Sequence, residues 1–181
     1  MLTHLLPLPC PPDFAAVALP LTVYGWAGTA LDNTWMQSVD KARKAGPILA
    51  SVLLSRVQGS RPVVLVGTSL GALTIFHALL ELAKSAKPEE VAGLVDSAIL
   101  VGMPSTPSGE QWEKVRGVVG RRVVNGFSRK DFVLASVVRL HEVVGGMAEA
   151  RVDGGRVAGL GPVAQKGVED VDLSGVVDGQ S

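Results

Sequence analysis

The stretch that decides the fold runs from Arg61 to Leu79 and reads RPVVLVGTSLGALTIFHAL. Its first part, Val63 to Val66, is an unbroken aliphatic run, as expected of a parallel strand that is covered on both faces. After a short turn, apolar residues recur at helical spacing from Ala72 to Ala83. The stretch therefore predicts a buried strand, a tight turn and a helix in direct succession.

Ser69 lies at the centre of that turn, between Gly67 and Gly71 in a G-x-S-x-G pattern. Between a strand and a helix, this pattern is typical of the nucleophile elbow of α/β-hydrolases, in which small neighbours let the backbone turn tightly and present a serine beside a base. The backbone N–H of Leu70 would then supply one oxyanion donor. The alternative is that Ser69 only caps a structural helix. The preceding strand and following helix favour the elbow.

Composition limits the classes of protein that the chain can belong to. Its 181 residues, 47% hydrophobic and 19% charged, are enough for one globular domain with a core. The 17 basic residues balance the 17 acidic ones without forming a basic run, which argues against a nucleic-acid partner. Cys10 is the only cysteine, and no group of histidine, cysteine and carboxylate residues has metal-ligand spacing. We therefore expect no metal and no other cofactor.

Residues 1–31 form a proline-rich and apolar leader. The 18 residues from Phe14 to Leu31 contain no ionisable group except Tyr24, and this length nearly permits a membrane span. Pro20 and Gly25 interrupt the segment, and it has neither flanking basic residues nor the positive start of a secretory signal. We expect it to pack on protein or to lie against a membrane surface, with a true span as the alternative. The protein is predicted to be intracellular, with membrane association left open, and not secreted.

Residues 32–181 alternate between helical and strand patterns. A helix is expected from Asp32-Asn33, with a kink or a division at Gly46-Pro47. Later strands are predicted at Ala98–Val101, at Arg122–Phe127 and around Val168–Leu173, and later helices after a capping box of Ser108 with Gln111 and over Phe132–Val144. This order predicts an α/β domain with a mostly parallel sheet of about four strands and flanking helices.

The acid of a catalytic triad follows the nucleophile in this type of fold and lies in a loop after a later strand. Asp131 occupies such a loop. It is also a good N-cap for the helix that follows, and the two roles are compatible.

The base is harder to place, because the chain contains only His4, His77 and His141. His77 is two turns along the elbow helix, about 12 Å from Ser69 at 1.5 Å per residue, and cannot act on it. His141 follows Asp131 in the required order and is the remaining candidate. Its position on an apolar helix also fits an ordinary, partly buried or surface histidine.

Eight blocks of this sequence resemble a known family in order and separation. They are LDNTW (31–35), VDKARKAG (39–46), LLSRVQGSRP (53–62), GTSLGA (67–72), FHALLELA (76–83), VNGFSRKD (124–131), VAGLGPV (157–163) and VEDVDLSGVVDG (168–179). The chain resembles the C-terminal half of the transmembrane and coiled-coil domain-containing protein 4-like family. The resemblance implies the α/β-hydrolase superfamily, membrane association, and hydrolysis of a lipid or other ester.

The resemblance also implies roles for single residues. Ser69 matches the nucleophile of the family and Asp131 its acid. The last block of the family ends in glycine and histidine, whereas in this chain Gly179 is followed by Gln180. The base is therefore missing at the matching position.

The sequence thus predicts an incomplete α/β-hydrolase fold in residues 32–181. Only about 60 residues precede the elbow strand, so the loop that usually supplies a second oxyanion donor has no counterpart. We expect a serine hydrolase-type domain, an esterase or lipase that acts on a small-molecule or lipid ester and is impaired in these residues. The alternative is a non-catalytic remnant that serves as a membrane-associated or protein-binding module. A sheet edge left exposed by missing strands would favour self-association.

Overall fold

The computed structural model of the chain describes residues 34–84, 88–136 and 157–176. The leader at residues 1–31 lies outside the described residues, as do Cys10, His141 and Gln180. The helices are α1 (residues 34–54), α2 (Leu70–Leu82), α3 (Pro88–Val91), α4 (Gly109–Val118) and the described part of α5 (residues 132–136). The strands are β1 (Val63–Thr68), β2 (Val95–Val101), β3 (Val119–Phe127) and β4 (Val168–Asp172), and a 3₁₀ turn spans Ala158–Leu160.

The four strands form one sheet in the order β1-β2-β3-β4, and all three pairings are parallel. In register, Val66 lies beside Ile99 and Ile99 beside Val124. The prediction of an α/β fold with a parallel sheet of about four strands and flanking helices is confirmed. Because the strands are parallel, all their carboxyl ends, and the loops that follow them, lie at one edge of the sheet.

The described helices α1, α2 and α4 bury their apolar residues in a single core against one face of the sheet. Helix α2 presents Leu73, Phe76 and Leu79 to the sheet, and all three are almost completely buried. The ring of Phe76 meets that of Trp112 on α4 edge to face, with 4.8 Å between the centroids. Such aromatic pairs add roughly 0.5–1.5 kcal/mol to the stability gained by burial alone. This contact fixes α2, and with it the start of the helix at Ser69.

Helix α1 packs directly against α2. A Cβ atom built on Gly46 would lie 2.6 Å from His77 Cβ, so the two helices meet closely at this point. The predicted division of α1 at Gly46-Pro47 does not occur, because residues 34–54 are helical throughout. Glycine is required at position 46 because a side chain there would collide with His77 of α2, and not because the helix ends there.

Strand β1 differs from the sequence expectation in one respect. Its unbroken apolar run predicted a strand covered on both faces, but the side chains of Val64 and Val66 are 55% and 63% exposed. Val63 and Leu65 face the helices instead. The physical reason is that β1 pairs with β2 alone among the described strands and that the described helices lie on one side of the sheet. The expectation of an exposed sheet edge is met at β1 within the described residues.

The predicted capping box at the start of α4 is confirmed. The Ser108 hydroxyl accepts a hydrogen bond from the Gln111 backbone N–H at 3.3 Å, and the Ser108 N–H donates to Gln111 Oε1 at 2.9 Å.

Candidate active site

Ser69 has an unusual backbone conformation at the junction between β1 and α2. Its φ is 50° and its ψ is −120°, which places a residue with a side chain in a region that favours glycine. The conformation is held from both sides, since the Ser69 N–H donates to Val101 O at 2.8 Å and its carbonyl accepts from Leu73 N at 3.2 Å. The hydroxyl makes no capping bond to α2. The alternative role of Ser69 as a side-chain cap therefore has no support in the geometry.

Gly67 and Gly71 contribute to the turn in different ways. A Cβ on Gly67 would lie 2.7 Å from Ile75 Cδ1 and 2.8 Å from both Ala72 N and Gly71 C, so this position has no room for a side chain. A Cβ on Gly71 would meet nothing within 4 Å. Gly67 is therefore required for steric reasons, whereas a side chain at Gly71 would meet no neighbouring atom.

We expect this difference to appear in stability. Gly67→Ala forces the start of α2 away from β1 and should lower the free energy of unfolding by about 1–3 kcal/mol, as overpacking does in cores. Gly71→Ala is the matched control, and the change should be neutral or slightly stabilising, since alanine is preferred over glycine in helices by about 0.5–1 kcal/mol. Urea unfolding of both variants measures the difference. Equal losses in the two variants would contradict the assignment of the close contact to Gly67.

Leu70 is the first residue of α2, directly after Ser69. The N–H groups of the first helical turn have no intrahelical acceptor, and they lie at the positive end of the helix dipole. The Leu70 N–H therefore belongs to a cluster of donors at the end of α2 that directly follows Ser69. Such a cluster can stabilise an oxyanion that develops on a group bound to Ser69.

Asp131 lies in the loop between β3 and α5, at the same edge of the sheet as Ser69. Its Oδ1 accepts a hydrogen bond from the Leu134 backbone N–H at 2.8 Å, so it caps α5. Its Oδ2 points towards Gly102, where a Cβ would lie 3.9 Å away. Gly102 follows β2, the strand that separates β3 from the elbow strand. The capping role predicted for Asp131 is present, and the cap uses Oδ1.

The block of residues 157–163 crosses this edge of the sheet and joins its loops. The Gly159 N–H donates to Met103 O at 3.0 Å, and Gly159 O accepts from Ser128 N at 3.1 Å. Ala158 N donates to Ser105 O at 2.8 Å. The segment therefore fixes the loops after β2 and β3, which carry Gly102 and Asp131, relative to each other.

A polar pair of buried Asn125 and partly buried Asp170 also holds residues 161–164, and sequence reasoning did not single it out. Asn125 is completely buried and its Nδ2 donates to Asp170 Oδ1 at 2.8 Å and to Gly161 O at 3.3 Å. The Asp170 carboxylate also accepts from Val163 N at 3.0 Å and Ala164 N at 2.9 Å. An asparagine within the apolar stretch VVNGF was the available signal. The pair accounts for Asn125 in the block at residues 124–131 and for Asp170 in the block at residues 168–179.

His77 is the only histidine among the described residues, and it lies on α2 far from the hydroxyl of Ser69. It is half-buried, with its ring edge to face with that of Phe76 at 6.2 Å. Burial first, and then the charges of Arg43 and Lys84, lower the pKa of this imidazole below its usual 6.5. The environment thus favours the neutral form in the folded state. His141, the other candidate base, lies outside the described residues.

This pKa shift predicts a pH dependence of stability. The unfolded chain takes up a proton at His77 near pH 6.5, whereas the folded chain resists it until a lower pH. The free energy of unfolding should therefore fall as the pH decreases through 6.5, and the loss should be complete once the pH is below the folded pKa. His77→Gln should flatten this part of the profile. Urea unfolding of both proteins between about pH 5 and 8 measures the difference, and identical slopes would contradict it.

A cleft lies at the edge of the sheet opposite to Ser69, where the strands begin. This cleft of about 520 Å³ is lined by the ends of α2 and α4 and by the start of β3, including Leu82, Arg116 and Gly120. It is remote from the carboxyl edge, so none of its residues contacts Ser69.

Within residues 34–84, 88–136 and 157–176, no group of three or more metal-ligating side chains occurs.

Comparison with known families places the chain. The model of a family described as "Protein of unknown function (DUF726)" matches residues 12–180. The chain belongs to the DUF726 family. This match covers both the turn at Ser69 and the Asn125–Asp170 pair, and the resemblance stated from the sequence blocks is confirmed.

The names of relatives of this DUF726 domain include membrane proteins and a probable lipase. The chain is 40% identical over 167 residues to "Transmembrane and coiled-coil domain-containing protein STS1" of Oryza sativa subsp. japonica, covering 89% of the chain and 23% of that protein. It is 38% identical over 168 residues to an "Uncharacterized membrane protein" of Caenorhabditis elegans, covering 91% and 25%. It is 39% identical over 153 residues to "Probable lipase MIL1" of Saccharomyces cerevisiae, covering 84% and 13%. The chain thus spans about a quarter or less of these relatives.

No solved structure matches the chain. None of the helices in the part of the chain that the structure describes is both long and apolar enough to cross a membrane.

Proposed function

We propose that this DUF726 domain is a serine hydrolase domain that attacks acyl esters through Ser69. The observation that carries the proposal is the backbone of Ser69, with φ 50° and ψ −120° between a parallel strand and a helix and a hydroxyl that caps nothing. Strain of this kind costs of order 1–3 kcal/mol and clusters at functional sites. A serine held in this way for a structural purpose would be expected to use its hydroxyl in the cap.

The neighbouring groups have the chemistry that ester attack requires. The Leu70 N–H would donate to the oxyanion of the tetrahedral intermediate, and the Oδ2 of Asp131, which the helix cap does not use, would orient a protonated imidazole. Asp131 need not give up its cap, because the two functions use different oxygens. The name "Probable lipase" of the yeast relative supports an acyl ester as substrate, and the names of the other relatives support association with membranes.

The missing element is the base. The described residues place no imidazole near Ser69, and at the position where the resemblance implies a histidine this chain has Gln180. Loss of the base from such a triad costs several orders of magnitude in turnover. We therefore propose weak hydrolysis by these 181 residues, with a reactive but poorly assisted serine.

Labelling with a fluorophosphonate probe tests the proposal on the purified full chain. We expect slow labelling that maps to Ser69, that disappears in Ser69→Ala and that persists in Ser55→Ala, a control at an exposed serine whose hydroxyl donates to Val52 O. Loss of label in His141→Ala as well would identify His141 as the base. Label that persists in Ser69→Ala, or a folded sample that takes no label, would overturn the proposal in favour of a non-catalytic module.

A further inference from the structure

Two adjacent loops at the carboxyl edge of the sheet present exposed apolar side chains. Phe132 and Val133, the first residues of α5, are 74% and 76% exposed, and Val176 after β4 is 81% exposed. The loops follow β3 and β4, which are neighbours in the sheet. We call these three residues the edge patch. Apolar side chains that are grouped on a surface mark a site of contact more often than scattered ones do.

Hydrogen bonds build the edge patch into the fold. The Leu134 N–H donates to Asp131 Oδ1 at 2.8 Å, and the Leu134 side chain is buried, so the first turn of α5 is anchored beside its exposed residues. The Arg129 N–H donates to Ser174 Oγ at 2.9 Å and joins the loop after β4 to the loop before α5. The two parts of the edge patch are therefore held next to each other.

The charges beside the edge patch fit an anionic lipid surface. Lys130 is exposed and directly precedes Asp131, whose carboxylate is engaged in the cap of α5. The Asp172 carboxylate is engaged too, since it accepts from Ser174 N at 2.9 Å and lies 3.6 Å from Arg129 Nε. An aromatic and aliphatic surface with a lysine beside it is the combination by which proteins bind at the headgroup level of anionic membranes.

The size of the edge patch favours a lipid surface over a protein partner. A stable protein interface buries about 800 Å² on each partner, and even an aromatic side chain buries only about 150–250 Å². One phenylalanine and two valines fall short of that area. A bilayer needs no complementary shape, because binding strength depends on the apolar area inserted and on the attraction between basic residues and anionic lipids. A few inserted side chains therefore give reversible binding.

The edge patch lies at the edge of the sheet where Ser69 is located. Thr68 and Ser69 are exposed at the end of β1, and the parallel order of the sheet brings the ends of β1, β3 and β4 to this edge. Contact with a bilayer through the edge patch would therefore turn the Ser69 edge towards the headgroup region, in which the ester bonds of phospholipids lie.

We propose that the edge patch and Lys130 form a surface that binds bilayers of anionic phospholipids. The binding does not need the chemistry at Ser69. Presentation of a membrane ester to Ser69 is the part that rests on the proposed function.

Cosedimentation of the purified full chain with vesicles of equal parts phosphatidylcholine and phosphatidylserine tests the surface. Val133→Ser should weaken binding by about tenfold, because the inserted valine no longer contributes its transfer free energy. Val57→Ser is the matched control and should bind as the parent does, since Val57 is also 76% exposed but precedes β1 at the opposite edge of the sheet. Equal binding by the two variants, or a folded parent chain that does not bind, would overturn the proposal.

A change of charge tests the part assigned to Lys130. Lys130→Gln should weaken binding to these vesicles by about fivefold, the effect of about one basic residue near an anionic surface. It should leave binding to vesicles of phosphatidylcholine alone unchanged. Lys41→Gln, at an exposed lysine of α1, is the control and should have no effect. Equal losses in the two lysine variants would overturn the proposal.

A measurement on the unmodified chain guards against variants that fail to fold. Carbene footprinting should show that the vesicles protect the peptide at 129–136 and leave the peptide at 55–62 unchanged. Protection confined to other peptides would assign the contact to another part of the chain and overturn the proposal. Sedimentation without vesicles covers a second copy as the partner, because a dimer that Val133→Ser dissociates would also overturn it.

Ser69→Ala separates this proposal from the proposed function. The variant should bind the vesicles as tightly as the parent does. Vesicle binding by a parent chain whose serine takes no fluorophosphonate would support the edge patch and count against the proposed function. A reactive serine in a chain that does not bind vesicles would support the proposed function and overturn the edge patch.

Discussion

Gln180→His is expected to raise hydrolysis of a short-chain p-nitrophenyl ester by on the order of a thousandfold. Removal of the histidine or serine from a serine-protease triad costs about 10⁶-fold in kcat, and even a part of that effect is large. The residue lies eight positions after the end of β4, in the region where this chain order places the triad histidine. The Asp131 Oδ2, which makes no part of the helix cap, would orient the new imidazole.

The gain should appear in kcat with little change in KM, because the histidine acts on the transition state. The value of kcat should rise with pH and level off above an apparent pKa near the ordinary imidazole value of about 6.5, because the base must be unprotonated. Ser69→Ala in the Gln180→His background should abolish the gain, and Gln180→Asn should leave the rate unchanged. A Gln180→His protein that is folded, binds the ester and turns over no faster would contradict the roles assigned to Ser69 and Asp131.

Gly159→Ala is expected to be the most destabilising of the glycine substitutions. A Cβ at this position would lie 2.5 Å from Gly102 C and 2.7 Å from both Met103 N and Leu134 Cδ2. Two of these three atoms belong to the backbone of the loop after β2, so the contact can be relieved only by moving that loop. We expect a loss of about 3 kcal/mol, at the upper end for overpacked interiors. The corresponding fall in Tm is about 6–12 °C at 2–4 °C per kcal/mol.

Gly117→Ala is the control for this prediction. Gly117 lies in α4, and a Cβ there would meet nothing within 4 Å. The change should leave Tm unchanged or raise it slightly, as expected for alanine in a helix. Because the contacts at Gly159 join the loops that carry Gly102 and Asp131, Gly159→Ala should also weaken probe labelling of Ser69 at temperatures where the protein is still folded. A Tm within 2 °C of the parent protein would contradict the assigned clash.

Local features of the sequence were the easiest to predict. The capping box of Ser108 and Gln111 needs only four residues to form, and the strands β1 and β2 were recognisable from short apolar runs. The sharp turn at Ser69 was also predictable. A strand followed directly by a helix leaves no space for a side chain at Gly67, so glycine at this position indicates the turn. Such features depend on neighbours in the sequence, so the sequence pattern carries them.

Features that depend on the sheet as a whole were not predictable in the same way. The run from Val63 to Val66 is apolar at every position, and Val64 and Val66 are exposed because the described helices α1, α2 and α4 pack on the other face of the sheet. The pairing of Asn125 with Asp170 joins residues 45 positions apart and depends on β3 and β4 being adjacent. The backbone angles of Ser69 and the choice of Oδ1 as the capping oxygen of Asp131 likewise require three-dimensional coordinates.

The order of the strands has a consequence for how the domain forms during synthesis. Each of the strands β2, β3 and β4 pairs with the strand that was translated just before it, so the sheet can grow from β1 outward while the chain is still emerging from the ribosome. The Ser69 turn can then form early, as soon as β2 supplies the carbonyl of Val101. Asp170 is translated last of the groups that hold the segment at residues 161–164. The turn at Ser69 can thus form before the loops around it close, and a nascent chain halted before β4 would present this turn without the contacts that Asp170 makes.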